Sequence, residues 1–587
     1  MWKTSYGAKT GAILVFALAA TFYSINLDRP ENPDELYHVL AARGLLETGE
    51  PRIAEGYYWR AFLFTRLVAL SFAVFGESLW SARVPSVLAM ATVVAVMFLW
   101  VRREAGPLAA WIAAGFYAIS PFAVSIAQFC RFYALQTLAF TLAGWLLYDF
   151  LNGSSRPAVR ALQIASIVAL FGLAIHLQDT TLIGIAGLAT WVAGVLVIRT
   201  AYADRPARLI KIGLLTGAGL ALIGAVWLAW TTGWLNELWM RYRMTPLFNA
   251  PFRDQFWFYH QWYIILYPTL WTLTGPLVLL AYLRAPNLTA MLTTSFAVAF
   301  GITSFGGTKN VRYFSYMQPF LFMIWGIAGA LLWGGFRDAT RRLVDRLVGI
   351  LVTLGRSARM AARALAAAAI LAVVAVNPFW LRTFGLMANV PIGPEVPDAD
   401  WRRALPVLAP LAAEAAVVVD GEELAPLYYL GRHDILFSPS KFLELPEERR
   451  KDFGRDLRTG RPIIASHAAL EKVLRCFPSG LFLAPRMHWN RPSSVDAEAI
   501  ALLEQYASPV ALPENSHVFA YVWRHEADEA DFEECAALPG FVESRGHDRA
   551  APRPRRGAVV ASLKRPPRPK VRSARPRRRS SSPARPP

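Results

Sequence analysis

Apolar stretches of roughly 17 to 25 residues recur along this chain of 587 residues, near 11–27, 82–101, 107–127, 132–151, 159–176, 179–198, 210–231, 262–283, 287–305, 313–335 and 364–381. Each is long enough to cross about 30 Å of hydrocarbon as a helix, the conformation in which a single segment satisfies its own backbone hydrogen bonds. A chain with about eleven such stretches is constrained to an α-helical multi-pass membrane fold. A composition that is 55% hydrophobic, with 20 Trp and 35 Phe, agrees with that class and not with a large soluble enzyme. The first stretch follows Lys3 and Lys9 and resembles a signal peptide, but cleavage after Ala17-Leu18-Ala19 would leave an apolar core of only about nine residues, so it reads as an uncleaved anchor.

Lys and Arg in short loops stay cytoplasmic, so their distribution sets the orientation. With the N-terminus inside, the inner segments hold eighteen cations over roughly 70 residues and the outer loops eleven over roughly 100. The bias puts everything after Leu381 on the outer side, which in a bacterial plasma (inner) membrane is the periplasm or cell exterior. The first outer loop, 28–81, reads as largely helical, with an apolar stripe (Leu36, Val39, Leu40, Leu45, Leu46) and a short apolar run, Ala61 to Phe75, suited to lie at the interface. A second outer loop, 232–261, is crowded with aromatics, which is either a bilayer-surface belt or a lid that stacks on sugar or lipid.

Three regions follow: a membrane domain at 1–381, an extracytoplasmic α/β domain at 382–545 and a disordered basic Pro/Arg-rich tail at 546–587. In the second, Ala416 to Val419, Leu427 to Leu430, Ile435 to Ser438, Ile463 to Ser466, Leu481 to Ala484 and Val518 to Trp523 read as strands, with helices at Ala468 to Arg475 and Val495 to Tyr506. It carries no phosphate-cradling glycine motif and no nucleophile elbow. Arg545 to Pro587 holds fifteen Lys or Arg against one acid, and so supplies +14 of the net charge of +19. That composition resembles nucleic-acid-binding arms, but its side of the membrane argues for no nucleic acid as partner and leaves membrane lipids or anionic polysaccharide. Of three cysteines, Cys476 and Cys535 share a compartment and form a conceivable disulfide.

Four outer features carry chemistry-bearing side chains. Asn32-Pro33-Asp34-Glu35 is first, and it also describes an ordinary helix start, with an N-cap, a first-turn proline and acids at the positive dipole end. The second is Tyr58-Trp59-Arg60, followed by Phe75-Gly76-Glu77-Ser78 and Ser81-Ala82-Arg83-Val84-Pro85-Ser86. Ser120-Pro121 with Gln128-Phe129-Cys130-Arg131-Phe132-Tyr133 is the third, and Lys309-Asn310-Val311-Arg312-Tyr313 with Gln318-Pro319 the fourth.

In that order and spacing, over roughly residues 10 to 335, they resemble the GT-C membrane glycosyltransferases that take sugars from polyprenyl phosphates: the protein O-mannosyltransferases, lipid A aminoarabinose transferases and rhizobial core galacturonosyltransferases. The resemblance implies membrane helices with interfacial helices in the first outer loop, a polyprenyl-phosphate-linked sugar donor, and inverting transfer to an acceptor hydroxyl on a glycolipid, polysaccharide or protein. Asp34 would then be the base, its proton affinity raised by partial desolvation, and Glu35 would orient the loop or help bind a divalent cation. Arg60, Arg131, Lys309 and Arg312 would hold the carrier phosphate. His38, Tyr133 and Tyr313 are auxiliary candidates. Many relatives carry an acid just before the Arg of the 128–133 motif, where this chain has Phe129 and Cys130. Asp179, three residues after His176, is the available substitute, although two ligands do not define a metal site.

Two other classes fit less well. A transporter or lipid-sugar flippase would show paired broken helices in two related halves, and no internal repeat is visible. A non-catalytic assembly protein would leave Asp34-Glu35 and the four cations without a role.

Overall fold

A computed structural model describes residues 6–153, 156–203, 256–305, 309–351, 378–388, 398–421, 424–450 and 453–525, with scattered positions from 209 to 233 and at 360 and 390. The expected span 210–231 is described only in part, and most of span 364–381, most of the aromatic loop and the basic tail lie outside the described residues. Helix α1 is Tyr6–Tyr23, and the loop after it folds as α2 (Pro33–Thr48), a two-stranded hairpin of β1 (Arg52–Ile53) and β2 (Gly56–Tyr57), and α3 (Phe62–Phe75). Then come α4 (Leu79–Ala105), α5 (Pro107–Ala118), α6 (Pro121–Ala127), α7 (Tyr133–Asn152), α8 (Pro157–Leu177) and α9 (Thr181–Ala201). Among the described residues six helices are long and apolar enough to cross a membrane, or seven with a bent pair counted as one span.

That bent pair corrects one expectation. The stretch 107–127 is not one straight helix but α5 and α6 at 63°, broken where Ser120 caps the second helix by accepting from the Ala123 amide and Pro121 takes its first position. Likewise 262–283 is three pieces, α10 (Phe258–Leu266), α11 (Pro268–Thr272) and α12 (Thr274–Arg284), the first break falling at Pro268. Helix α13 (Pro286–Phe305), a 3₁₀ turn over Val311–Met317 and α14 (Gln318–Leu351) complete this part, followed by α15 (Pro378–Met387).

The C-terminal part is a seven-stranded mixed sheet. Its strands are β3 (Val417–Asp420), β4 (Ile435–Phe437), β5 (Gly454–Arg455), β6 (Pro462–Ile464), β7 (Ser479–Pro485), β8 (Ser508–Pro509) and β9 (Val518–Arg524), in the order β5-β6-β4-β3-β7-β9-β8. The four central strands are parallel, and their uniformly apolar cores (Val417, Val418, Val419; Ile435, Leu436, Phe437) match a sheet covered on both faces. The expected strand at Leu427 to Leu430 is instead a short helix, Ala425–Tyr429, because Pro426 at its start presets the helical turn and an apolar run of four does not by itself distinguish strand from helix. An unexpected helix, Trp401–Glu414, contains Pro406 and Pro410 and buries Trp401, Ala404, Leu408 and Ala412. Cys476 is disulfide-bonded, and Cys535, its expected partner, lies outside the described residues.

The sheet part rests on the segment around the start of α2. Arg402 pairs with Asp28 at 2.8 Å, Tyr429 donates to Glu31 at 2.7 Å, and the Asn32 side-chain amide donates to Asp398 at 3.1 Å.

Candidate functional site

Helix α2 starts as the sequence predicts, with Asn32 as N-cap, Pro33 at its first position and Glu35 closing a capping box by accepting from the Asn32 amide at 3.0 Å. Glu35 does more than cap. Its two oxygens take the Arg83 guanidinium at 2.7 and 2.8 Å, with both side chains essentially inaccessible, and Oε2 also accepts from the Cys130 amide at 2.7 Å. Burial alone would raise the Glu35 carboxyl, but Arg83 outweighs it and holds the group below the usual range. Arg83 spends its remaining donors on the carbonyls of Leu27, Arg29 and Pro30. One buried ion pair thus joins the end of the α1–α2 connection, the start of α2, the start of α4 and the turn after α6.

Because Glu35 is bonded to residue 130, their neighbours Asp34 and Arg131 face one another. Arg131 Nη1 donates to the Asp34 carbonyl at 3.0 Å and to the Tyr58 hydroxyl at 3.1 Å, and its Nη2 lies 3.8 Å from Asp34 Oδ1. Arg312, brought in by the 3₁₀ turn that Asn310 caps, contacts Asp34 Oδ2 at 2.9 Å. Arg60 is close enough for its field to act on Asp34, and its Nη2 is tied to Gln178 at 2.8 Å. Arg60 and Arg131 lie over the Phe132 ring at 5.2 and 5.1 Å, and Arg312 lies over Phe129 at 5.1 Å. The two aromatics that flank Cys130 and Arg131 therefore support the guanidiniums.

The Asp34 side chain is 33% exposed, so the cluster opens outward. Burial pushes its carboxyl up, but Arg131, Arg312 and Arg60 together overcome that and hold it below the ordinary carboxylate range. This reverses the expectation of a raised proton affinity, and the cause is three cations around one acid. Counting side chains, the cluster carries +2.

The other candidates lie as follows. Lys309 is 2% exposed and its Nζ donates to the Ser304 carbonyl at 2.5 Å, away from the arginines that act on Asp34 in the described residues. His38 is fully buried, with Nδ1 2.9 Å from Thr65 Oγ1 and its ring edge-on to Tyr58, Phe64 and Phe132; burial, then Arg131 and Arg60, keep it neutral by lowering its proton affinity. Tyr133 is buried against Phe129, Phe132 and Tyr313. His176 and Asp179 are exposed at the C-terminal end of α8, and Gln178 between them is the residue that reaches Arg60. Among the described residues no group of three or more His, Cys, Asp and Glu side chains is placed to hold a metal ion, and the charged neighbours of Asp34 are guanidiniums, so this donor set does not fit a divalent cation held by the protein alone. Sequence reasoning missed Arg83, Tyr58, Phe129, Phe132 and Gln178 as working parts of this cluster, although four of them stand in the motifs quoted above.

Residues 60–230 match the family model of the dolichyl-phosphate-mannose-protein mannosyltransferases. No curated protein matches the chain. Among solved structures, ArnT from Cupriavidus metallidurans bound to undecaprenyl phosphate is similar with a TM-score of 0.54 at 17% identity, covering 87% of this chain and 98% of that one. The apo state of the same ArnT gives a TM-score of 0.50 at 18% identity, with 88% and 98% covered. The fold is therefore the GT-C fold expected from the motif succession, a multi-pass membrane domain with a C-terminal β-sheet domain.

Proposed function

We propose that this protein transfers a sugar from a polyprenyl-phosphate donor to an acceptor hydroxyl at the outer face of a bacterial plasma membrane, with Asp34 as base and Arg131, Arg312 and Arg60 as the cradle of the departing phosphate. The observation that carries the reading is one partly exposed carboxylate among three guanidiniums, a +2 cluster that suits a phosphate group. The likeness to an ArnT that binds undecaprenyl phosphate supports a lipid-linked donor. The cation bias of the loops supports an extracytoplasmic sheet domain.

In the reaction the acceptor oxygen forms a bond to the anomeric carbon, the bond from that carbon to the phosphate oxygen breaks, and the acceptor proton passes to Asp34. Polyprenyl phosphate leaves with the electron pair and stays paired with the arginines. Attack opposite a leaving group in one step inverts the anomeric centre. The depressed proton affinity of Asp34 comes from the three guanidiniums around it. A bound phosphate takes over the guanidiniums and adds negative charge nearby, and both effects raise the basicity of Asp34. The base is thus strengthened only when the donor is seated. The acceptor is a hydroxyl of an envelope glycolipid, polysaccharide or protein. Membranes given radiolabelled polyprenyl-phosphate sugars should label an acceptor with wild type. No transfer from any supplied lipid-linked sugar, with carrier lipid instead accumulating on one leaflet, would overturn the reading in favour of a flippase.

A further inference from the structure

The segment that carries Tyr58 is held from the sheet domain, far along the chain. The turn Asp456–Gly460 is self-braced: Asp456 Oδ2 accepts from the Thr459 amide and hydroxyl, both at 2.7 Å, and from the Arg458 amide at 3.2 Å. The Thr459 carbonyl then accepts from the amides of Glu55 and Gly56 in the β1–β2 hairpin at 3.0 and 2.9 Å, and Arg461 pairs with Glu55 at 2.7 Å. The approach is backbone on backbone. A Cβ on Gly56 would stand 2.3 Å from the Arg458 carbonyl oxygen, and one on Gly460, whose φ is +71°, 2.9 Å from the Glu55 carbonyl carbon. On the other side the hairpin is pinned to α2, where a Cβ on Gly44 would stand 2.3 Å from the Arg52 carbonyl oxygen.

Two residues beyond Gly56, Tyr58 is 5% exposed and its ring stacks on Tyr37 at 5.1 Å and 19°. Tyr37 in turn lies under Arg458 at 5.4 Å and Lys441 at 5.8 Å, both from the sheet domain. The Tyr58 ring is thus fixed by a stack and a docked hairpin, while its hydroxyl is spent on Arg131, the guanidinium that faces Asp34.

We propose that Tyr58 is a positioning residue, which aims Arg131 at the carrier phosphate, and that the sheet domain sets its place through the Asp456–Gly460 turn. The inference rests on the reading of the arginine cluster as a phosphate cradle. It assigns the C-terminal domain a part in that site without any of its residues touching the donor, and it gives Gly56 a functional reason to lack a side chain.

The test uses full-length protein in detergent and undecaprenyl phosphate as probe, with wild type, Tyr58→Phe, Arg131→Ala and the double variant. Tyr58→Phe removes one oxygen and should leave the melting temperature within about 2 °C, yet weaken binding by about tenfold, the size of one hydrogen bond to a charged group. In the Arg131→Ala background it should weaken binding no further, because the residue acts only through that guanidinium. Gly56→Ala, at a distance from the pocket, should reproduce the loss and likewise add nothing to Tyr58→Phe. Absence of binding by wild type would defeat the phosphate-cradle reading itself. Wild-type binding with Tyr58→Phe unchanged, or with losses that simply add to that of Arg131→Ala, would overturn the positioning role and leave the cradle standing.

Discussion

Replacing Asp34 by Asn should move two measurable quantities in opposite directions. The amide keeps the size of the carboxylate and can still accept from Arg312, but it removes the one negative side chain among Arg131, Arg312 and Arg60. In the wild type an incoming phosphate must share those cations with Asp34 and lie close to its charge. Two unit charges at about 6 Å in an effective dielectric of about 20 repel by roughly 3 kcal/mol, so their separation limits the gain on neutralisation to about a hundredfold. Binding of undecaprenyl phosphate, followed by intrinsic fluorescence of the detergent-solubilised protein, should therefore tighten by ten- to a hundredfold. Transfer should fall, because a positioned general base contributes roughly 10² to 10⁴ in rate. Misfolding would weaken both, and a purely structural Asp34 would alter neither in this pattern. Weaker phosphate binding by a folded Asp34→Asn variant, or transfer at the wild-type rate, would refute the assignment.

Three further outcomes follow from other parts of the structure. Arg83→Met strands the Glu35 carboxylate, so it should cost about 3–5 kcal/mol in chemical or thermal unfolding, while Glu35→Leu combined with Arg83→Met should cost less than Arg83→Met alone. Glu31 is 2% exposed, and burial pushes its carboxyl from 4.5 up to about 7, against the hydrogen bond from Tyr429. A raised pKa means that the stabilisation is fully present below about 4.5 and is lost as pH rises through about 7; Glu31→Gln should thus be more stable than wild type at pH 8.5, by at most roughly 3 kcal/mol, and equal to it at pH 4. For orientation, Glu50→Cys in a Cys130→Ser background should react with an impermeant maleimide on intact cells, whereas Arg156→Cys should react only after lysis; the reverse pattern would put Asp34 on the cytosolic side.

What could be read from the sequence and what could not divide along physical lines. Helix α2, α3 and most spans announce themselves through local rules, since a cap, a proline at the first turn and an apolar run are each visible within a few residues. The sheet strands were equally legible where β-branched runs were long enough, at Val417 to Val419 and Val518 to Val522, and not at Leu427 to Leu430, where Pro426 tips the balance to helix. Asp34, Arg60, Arg131 and Arg312 were found as cations and an acid at outer helix ends. Their assembly around one carboxylate was not derivable, because it depends on contacts between residues as far apart as 34 and 312. Arg83 was invisible for a different reason. At the entrance of an apolar span it looks like any interfacial cation, and only the fold shows that it is sealed against Glu35. The sign of the Asp34 shift failed in the same way: desolvation can be guessed from a membrane context, but the number of nearby guanidiniums cannot.

These two ion-pair systems, one residue apart on α2, have opposite economies. Glu35 and Arg83 are both sealed, one charge against one, with the remaining Arg83 donors spent on carbonyls; such a pair has no capacity left for a ligand and can serve only to hold segments together. Asp34 is outnumbered three to one and partly open, so its partners retain unspent charge. Unpaired guanidiniums gathered at a partly desolvated surface repel one another, and here that cost is met by Phe129 and Phe132, whose ring faces accept cations, and by Gln178 and Tyr58, whose oxygens accept from Arg60 and Arg131. None of the four brings a compensating negative charge. The neighbours thus stabilise the guanidiniums without neutralising them, which fits the phosphate cradle proposed above.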